Sequence, residues 1–168
     1  MQKITSQNID LLIYLRALFQ LMKPRVMSLV IFTCVVGLLI APKEISFLNA
    51  ALSLIAVAIG AGAAGTLNMW YEADVDALMT RTCLRPIPSG IVAKKHALYF
   101  GITTSIISVA ILYFFSNLVS AIALTITILF YVIIYTIWLK RKTPQNIVIG
   151  GASGALPPVI GWAIATNT

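Results

Sequence analysis

Asn68, Glu72 and Asp76 follow one another at intervals of four residues. On a helix, that spacing stacks the three side chains on one face over two turns. Two carboxylates and an amide oxygen turned the same way make a hard-oxygen site. Mg²⁺ takes such ligands, usually one or two carboxylates completed by water and substrate phosphates. Asp74 is a further candidate metal ligand, but it lies on the other side of an ideal helix and joins the site only if the helix unwinds there. Stacked like charges are unfavourable without a cation. Arg81 and Arg85 follow closely, and Lys140, Arg141 and Lys142 form a second basic cluster. An acidic face that holds a metal, flanked by Arg and Lys, suits an anionic phosphate ligand. Each feature also has a plainer reading. The carboxylates could be solvated charges at a helix end, Lys140 to Lys142 a topology signal, and Arg85-Pro86-Ile-Pro88-Ser-Gly90 a rigid turn.

The elements that position these residues follow from composition. Of 168 residues, 60% are hydrophobic and 10% charged, with a mean hydropathy of +0.95. Soluble domains carry about a quarter charged residues, and a chain this size cannot hide so much apolar surface from water. The apolar runs recur along the whole chain, which excludes a signal peptide as their cause. A bilayer core requires roughly 20 apolar residues per helix. Five runs meet or approach that: Leu21 to Ala41, Phe47 to Leu67, Ala97 to Phe115, Leu118 to Leu139 and Asn146 to Ala165. The expected fold is therefore all-α, a polytopic transmembrane bundle of about five spans in a single membrane domain, 1–168. Pro24 suits a first helical turn. The small residues from Gly60 to Gly65 allow close approach of a neighbouring helix. Gly150, Gly151, Gly154, Pro157 and Pro158 predict a kinked or broken fifth helix. Segment 1–20 is mildly amphipathic and predicts a helix on the membrane surface.

The net charge is +7. The bases sit in short clusters between apolar runs and not along a soluble face, so nucleic acid is excluded as a partner and the lipid bilayer is the solvent. Eleven Lys and Arg fall on one side of a five-span topology, and Lys43 alone falls on the other. The positive-inside rule then places 68–95, read as a long loop at a helix end, in the cytoplasm or the mitochondrial matrix. Cys34 lies in an apolar run and Cys83 in a polar loop, so no disulfide is expected, and no Cys/His metal spacing exists. His96 stands alone and reads as an interface residue.

Several stretches carry a resemblance. Asn68 to Asp76, followed by Arg81-Thr-Cys-Leu-Arg85-Pro86-Ile-Pro88-Ser-Gly90, resembles the first acidic motif of the UbiA superfamily of intramembrane prenyltransferases. Within it, Lys23-Pro24-Arg25-Val26 and the stretch from Tyr135 to Trp162 resemble the protoheme IX farnesyltransferases most. The resemblance covers the chain from about Leu21 to its end. It implies transfer of a farnesyl group from farnesyl diphosphate to a vinyl group of protoheme IX (heme b), giving heme O. It implies Mg²⁺ bound together with the substrate diphosphate. Asn68, Glu72 and Asp76 match the positions that bind metal and diphosphate, and Arg81, Arg85, Lys140 and Arg141 match basic positions near the diphosphate. The implied location is a bacterial inner (plasma) membrane or a mitochondrial inner membrane, with other heme-pathway membrane proteins as candidate partners. Glu72 departs from the Asp usual in the superfamily by one methylene. Members of the family also continue further, with more spans, a second Asp-rich motif and a heme-facing histidine region, whereas residues 77–168 contain no Asp or Glu. The chain is thus expected to be an N-terminal part that makes no heme O alone. Three other readings stand beside this one: an inactive membrane fragment, a sister prenyltransferase acting on a quinone precursor, and a small transporter using the carboxylates for ions.

Overall fold

A computed structural model describes residues 10–167. Lys3 and the polar start of segment 1–20 lie outside the described residues. The order is α1 (Leu11–Leu21), α2 (Pro24–Leu39), α3 (Phe47–Leu78), α4 (Lys94–Phe115), α5 (Leu118–Leu129, continued as a π-helix over Phe130–Leu139) and α6 (Asn146–Thr166). Among the described residues every regular element is helical. Four helices are long and apolar enough to cross a membrane. The pair α1 and α2, bent by 49°, makes a fifth crossing if counted as one span. The chain is an integral membrane protein.

Local chemistry explains the boundaries. Asp10 accepts a hydrogen bond from Leu12 N at the start of α1. Ser46 accepts one from Asn49 N at the start of α3, and Asn117 one from Ser120 N at the start of α5. Each relieves an amide that the helix itself leaves unpaired. Pro24 opens α2, as its missing N–H permits. Lys23, just before it, adopts left-handed φ 53°, ψ 66°. That residue carries the bend between α1 and α2.

Three expectations need correction. The segment from Asn68 to Leu78 is not loop: α3 runs on for 32 residues. A helix that long measures about 48 Å, against a hydrocarbon core of about 30 Å. The residues beyond Leu67 therefore form a helical extension at the membrane boundary, and the true loop is 79–93. The first span does not start cleanly at Leu21 but is a bent pair, because α1 is held from the side. Ala17 and Leu21 bury against Met69, Ala73, Ile87, Val92 and Ala97, and Tyr14 Oη lies 3.1 Å from His96 Nδ1. Finally, of the kink or break expected in the fifth helix, the break does not occur: α6 continues through Pro157 and Pro158. Its packing on α2 accounts for that. A Cβ on Gly37 would lie 2.0 Å from Pro158 O, and one on Gly161 would lie 2.0 Å from Cys34 O. The two backbones touch, and this seam holds the helix through its prolines.

The small-residue stretch of α3 does admit neighbours closely. A Cβ on Gly60 would meet Ser108 Oγ at 3.0 Å, and one on Gly62 would meet Met22 Cε at 2.5 Å. The core of the bundle gathers Cys34, Ala56, Val57, Ala64, Leu112, Leu124, Ile128, Ile160 and Ile164. It leaves large apolar side chains such as Phe32, Phe47, Ile106 and Phe114 exposed on the outer face, as lipid-facing surface requires.

Candidate functional site

The helical extension of α3 turns Asn68, Glu72 and Asp76 toward the interior. Asn68 is 1% exposed and Asp76 5% exposed. Each is met by a group from a different element. Asn68 Nδ2 donates to Thr136 Oγ1 at 3.1 Å, and Asn68 Oδ1 accepts from Lys23 Nζ at 2.5 Å. Glu72 Oε1 pairs with Lys140 Nζ at 2.5 Å. Asp76 takes Arg85 Nη1 on both oxygens, at 2.9 Å and 2.7 Å. The backbone carbonyl of Asp76 also accepts from Thr82 Oγ1 at 3.0 Å, which ties the start of the 79–93 loop to the helix.

The basic partners arrive by fold and not by sequence proximity. Arg85 comes from the turn-rich loop after α3, where Val92 N donates to Pro86 O and closes the segment. Lys140 follows the π-helical end of α5. There Thr136 Oγ1 donates to Tyr131 O and Lys140 N to Tyr135 O, both spanning five residues. π-helical turns are rare and concentrate at functional sites. Here the wider turn aims Thr136 at Asn68 while Lys140 reaches Glu72. Lys140 Nζ also sits 5.5 Å from the Tyr135 ring centroid. The charges that act on Lys23 Nζ are Lys140, Arg85, Glu72 and Asp76, so the groups form one electrostatic site.

Asp74 points elsewhere. The helix does not unwind, and Asp74 pairs with Arg141 Nη2 at 2.7 Å and 3.0 Å on an exposed surface. Arg141 also donates to Tyr71 O at 3.3 Å and lies over the Tyr71 ring at 4.7 Å. The hydrogen bond to Asp74 raises the proton affinity of the guanidinium further above its ordinary value. Arg81 is exposed on the loop and takes no part in the ion pairs among the described residues.

Mg²⁺ fits this donor set in one circumstance. The oxygens of Asn68, Glu72 and Asp76 are of the right chemistry. Among the described residues, however, no three His, Cys, Asp or Glu side chains gather as a cluster ready for a metal. Lys23, Lys140 and Arg85 already occupy those oxygens. A bare cation would have to displace bases into a partly buried space, which is costly. A cation arriving with phosphate offers the displaced bases new partners.

Behind the polar site lies a cavity of about 240 Å³. Val26, Val30, Val57, Leu124, Ile128 and Ile160 make its apolar wall, and Lys23 is the charged residue at its lining among the described residues. The arrangement can take a molecule with an anionic head and an apolar tail. Sequence reasoning missed two of its members. Lys23 stands in the Lys23-Pro24-Arg25-Val26 run, which carried a family resemblance but no site role for Lys23, and that run was the available signal. Thr136 carried none, since a single hydroxyl in an apolar run is common.

Comparison with known proteins gives independent findings. The sequence profile of the UbiA prenyltransferase family matches residues 30–168. The chain is 70% identical over 151 residues to the protoheme IX farnesyltransferase of Pelagibacter ubique (strain HTCC1062), covering 90% of this chain and 50% of that protein. It is 58% identical over 152 residues to the protoheme IX farnesyltransferase of Agrobacterium fabrum (strain C58 / ATCC 33970), covering 90% and 48%. The chain thus spans about half the length of the curated relatives it matches. A solved structure from a study of digeranylgeranylglyceryl phosphate synthase in membranes superposes with a TM-score of 0.80 at 21% identity, over 91% of this chain and 54% of the other. That likeness establishes the fold.

Proposed function

Because the chain belongs to the UbiA prenyltransferase family, we propose that it carries the first diphosphate-binding half of an intramembrane prenyltransferase site. The reaction proposed is transfer of a farnesyl group from farnesyl diphosphate to a vinyl group of protoheme IX. The allylic C–O bond breaks and diphosphate leaves, and the vinyl carbon bonds the farnesyl carbon. Water then adds to the resulting cation with loss of a proton, giving the hydroxyethylfarnesyl group of heme O. The observation that carries this reading is the juxtaposition of two environments. A face of Asn68, Glu72 and Asp76 is met by Lys23, Lys140 and Arg85, and Lys23 also lines an apolar cavity. The choice of heme acceptor over a quinone precursor rests on the 70% and 58% identities to proteins named protoheme IX farnesyltransferase.

In this mechanism Asn68, Glu72 and Asp76 would hold Mg²⁺ together with the diphosphate. The ion, when bound, offsets negative charge on the departing diphosphate. Lys140 and Arg85 exchange their carboxylate partners for phosphate oxygens, so the bases enter as charge-assisted donors already in place. Arg81 stands exposed nearby to receive the ligand from water, and Arg141 anchors the extension through Asp74. The apolar wall excludes water from the allylic carbon while its bond to oxygen breaks. The bacterial sources of the relatives support a plasma-membrane location, with the 79–93 loop cytoplasmic under the positive-inside rule.

A chimera tests the proposal. The matching N-terminal half of the Pelagibacter relative is replaced by this chain, expressed in membranes, and supplied with heme b, farnesyl diphosphate and Mg²⁺. Heme O on chromatography, abolished by chelation and restored by Mg²⁺, is the expected outcome. A folded chimera that binds neither substrate, or that turns over unaffected by chelation, defeats this reading.

A further inference from the structure

We propose that Lys23 is a positioning residue that guards the Asn68 oxygen in the free protein and moves to the diphosphate at its junction with the apolar tail when the ligand binds. This deepens the reading above and rests on it. Several observations converge. Lys23 Nζ lies 2.5 Å from Asn68 Oδ1, the oxygen a cation would use. Its backbone adopts φ 53°, ψ 66°, a left-handed conformation that a side chain larger than Asn occupies only when the surroundings impose it. Those surroundings are visible. Pro24 follows directly and fixes the start of α2, while a Cβ on Gly65 would lie 3.4 Å from Met22 O and 3.5 Å from Lys23 Cγ and Cδ. The stem of Lys23 therefore lies along the glycine face of α3, and Leu21 is fully buried just before it.

The placement is what gives the residue its role. Asn68 belongs to the polar site, while Val26, Val57 and Ile160 belong to the cavity wall, and Lys23 touches both regions. Lys140 and Arg85 act on it as like charges, Glu72 and Asp76 as opposite ones. In the free protein the ammonium holds the Asn68 oxygen that a divalent cation would otherwise take. Once a divalent cation and a diphosphate arrive, the like charges of the cation and of Lys140 and Arg85 disfavour that position. The flexible four-carbon stem then lets the ammonium follow the nearest phosphate oxygen. Lys23 thereby fixes which end of a prenyl diphosphate lies at the cavity mouth.

The test uses the chimera described above in lipid nanodiscs, with Lys23→Met and Lys23→Arg beside the unaltered chimera. Two affinities are measured: Mn²⁺ alone, by electron paramagnetic resonance, and a non-hydrolysable farnesyl thiodiphosphate with Mg²⁺, by calorimetry. For Lys23→Met the two should move in opposite directions. Mn²⁺ binding strengthens by about threefold, because a competing cation is gone, and thiodiphosphate binding weakens by about tenfold or more, the effect of losing one charge-assisted contact. Lys23→Arg should retain most of the thiodiphosphate affinity. A structural role alone would move both affinities the same way, and that result overturns the proposal, as does no change in either. If Lys23→Met does not fold, the same two affinities are measured on Lys23→Gln, where opposite shifts support the proposal and parallel or absent shifts overturn it. Failure of the unaltered chimera to bind the thiodiphosphate overturns the prenyltransferase reading itself, and with it the role given to Lys23.

Discussion

The two ends of this bundle are tied by different chemistry. At one end, Asn117 Nδ2 donates to Ala163 O at 2.7 Å while its Oδ1 caps α5, Ser120 Oγ bonds Ser116 Oγ at 3.0 Å, and Lys43 Nζ reaches Thr166 O at 3.2 Å. These are contacts to helix-terminal groups, mostly from neutral side chains, and each answers a backbone or hydroxyl need. At the other end the ties are ion pairs on a helix that extends past the membrane core: Asp76 with Arg85, Glu72 with Lys140, Asp74 with Arg141. Part-buried ion pairs are a poor way to gain stability, because desolvation offsets most of the attraction. A neutral network closes the first end at lower cost. The contrast supports the proposal that the charged end serves a ligand while the neutral end serves the fold.

Substitutions can break that contrast, beginning with the largest effect. In the chimera, Asp76→Asn should lower heme O formation by about a hundredfold or more, the scale of losing one electrostatic stabiliser at a reacting centre, while the amount of folded protein in membranes changes little. Turnover within a few-fold of the parent would mean that Asp76 serves the fold and that the two ends do not differ in kind.

Asn117→Ala should do the reverse. It removes a helix cap and the bonds to α6 and should cost about 1–2 kcal/mol, read as a lower midpoint in detergent unfolding. Turnover per folded molecule should stay within about twofold, a bound well below the tenfold that 1.4 kcal/mol represents. A loss of turnover as large as that for Asp76→Asn would erase the distinction.

The smallest effect sharpens the boundary of the site. Asp74 belongs to the charged end but faces away, exposed beside Arg141. Asp74→Asn should leave the unfolding midpoint unchanged within error and affect thiodiphosphate binding only slightly, with that slight change vanishing at high salt because exposed charges are screened. A strong loss of binding would show that α3 unwinds in the bound state and brings Asp74 inward.

Residue order alone determined much of this. Five apolar runs fixed an all-helical membrane protein, since a bilayer leaves the backbone no other unclosed way across. The four-residue spacing of Asn68, Glu72 and Asp76 placed them on one face, because helical periodicity is local. The split of the bases separated Lys43 from the clusters near α3, because charge distribution along the chain is itself the topological signal. What tertiary structure decided was non-local. The pairing of Glu72 with Lys140 joins residues 68 positions apart, and it depends on a π-helical turn that no periodicity in Phe130–Leu139 announces. Lys23 reached Asn68 across 45 positions only because α1 is pinned sideways and α2 restarts at Pro24. The continuity of α6 through two prolines arose from backbone contact with α2, a packing force that overrides the local preference to break. Helical spacing is written residue by residue, whereas which bases meet which carboxylates depends on how whole helices pack.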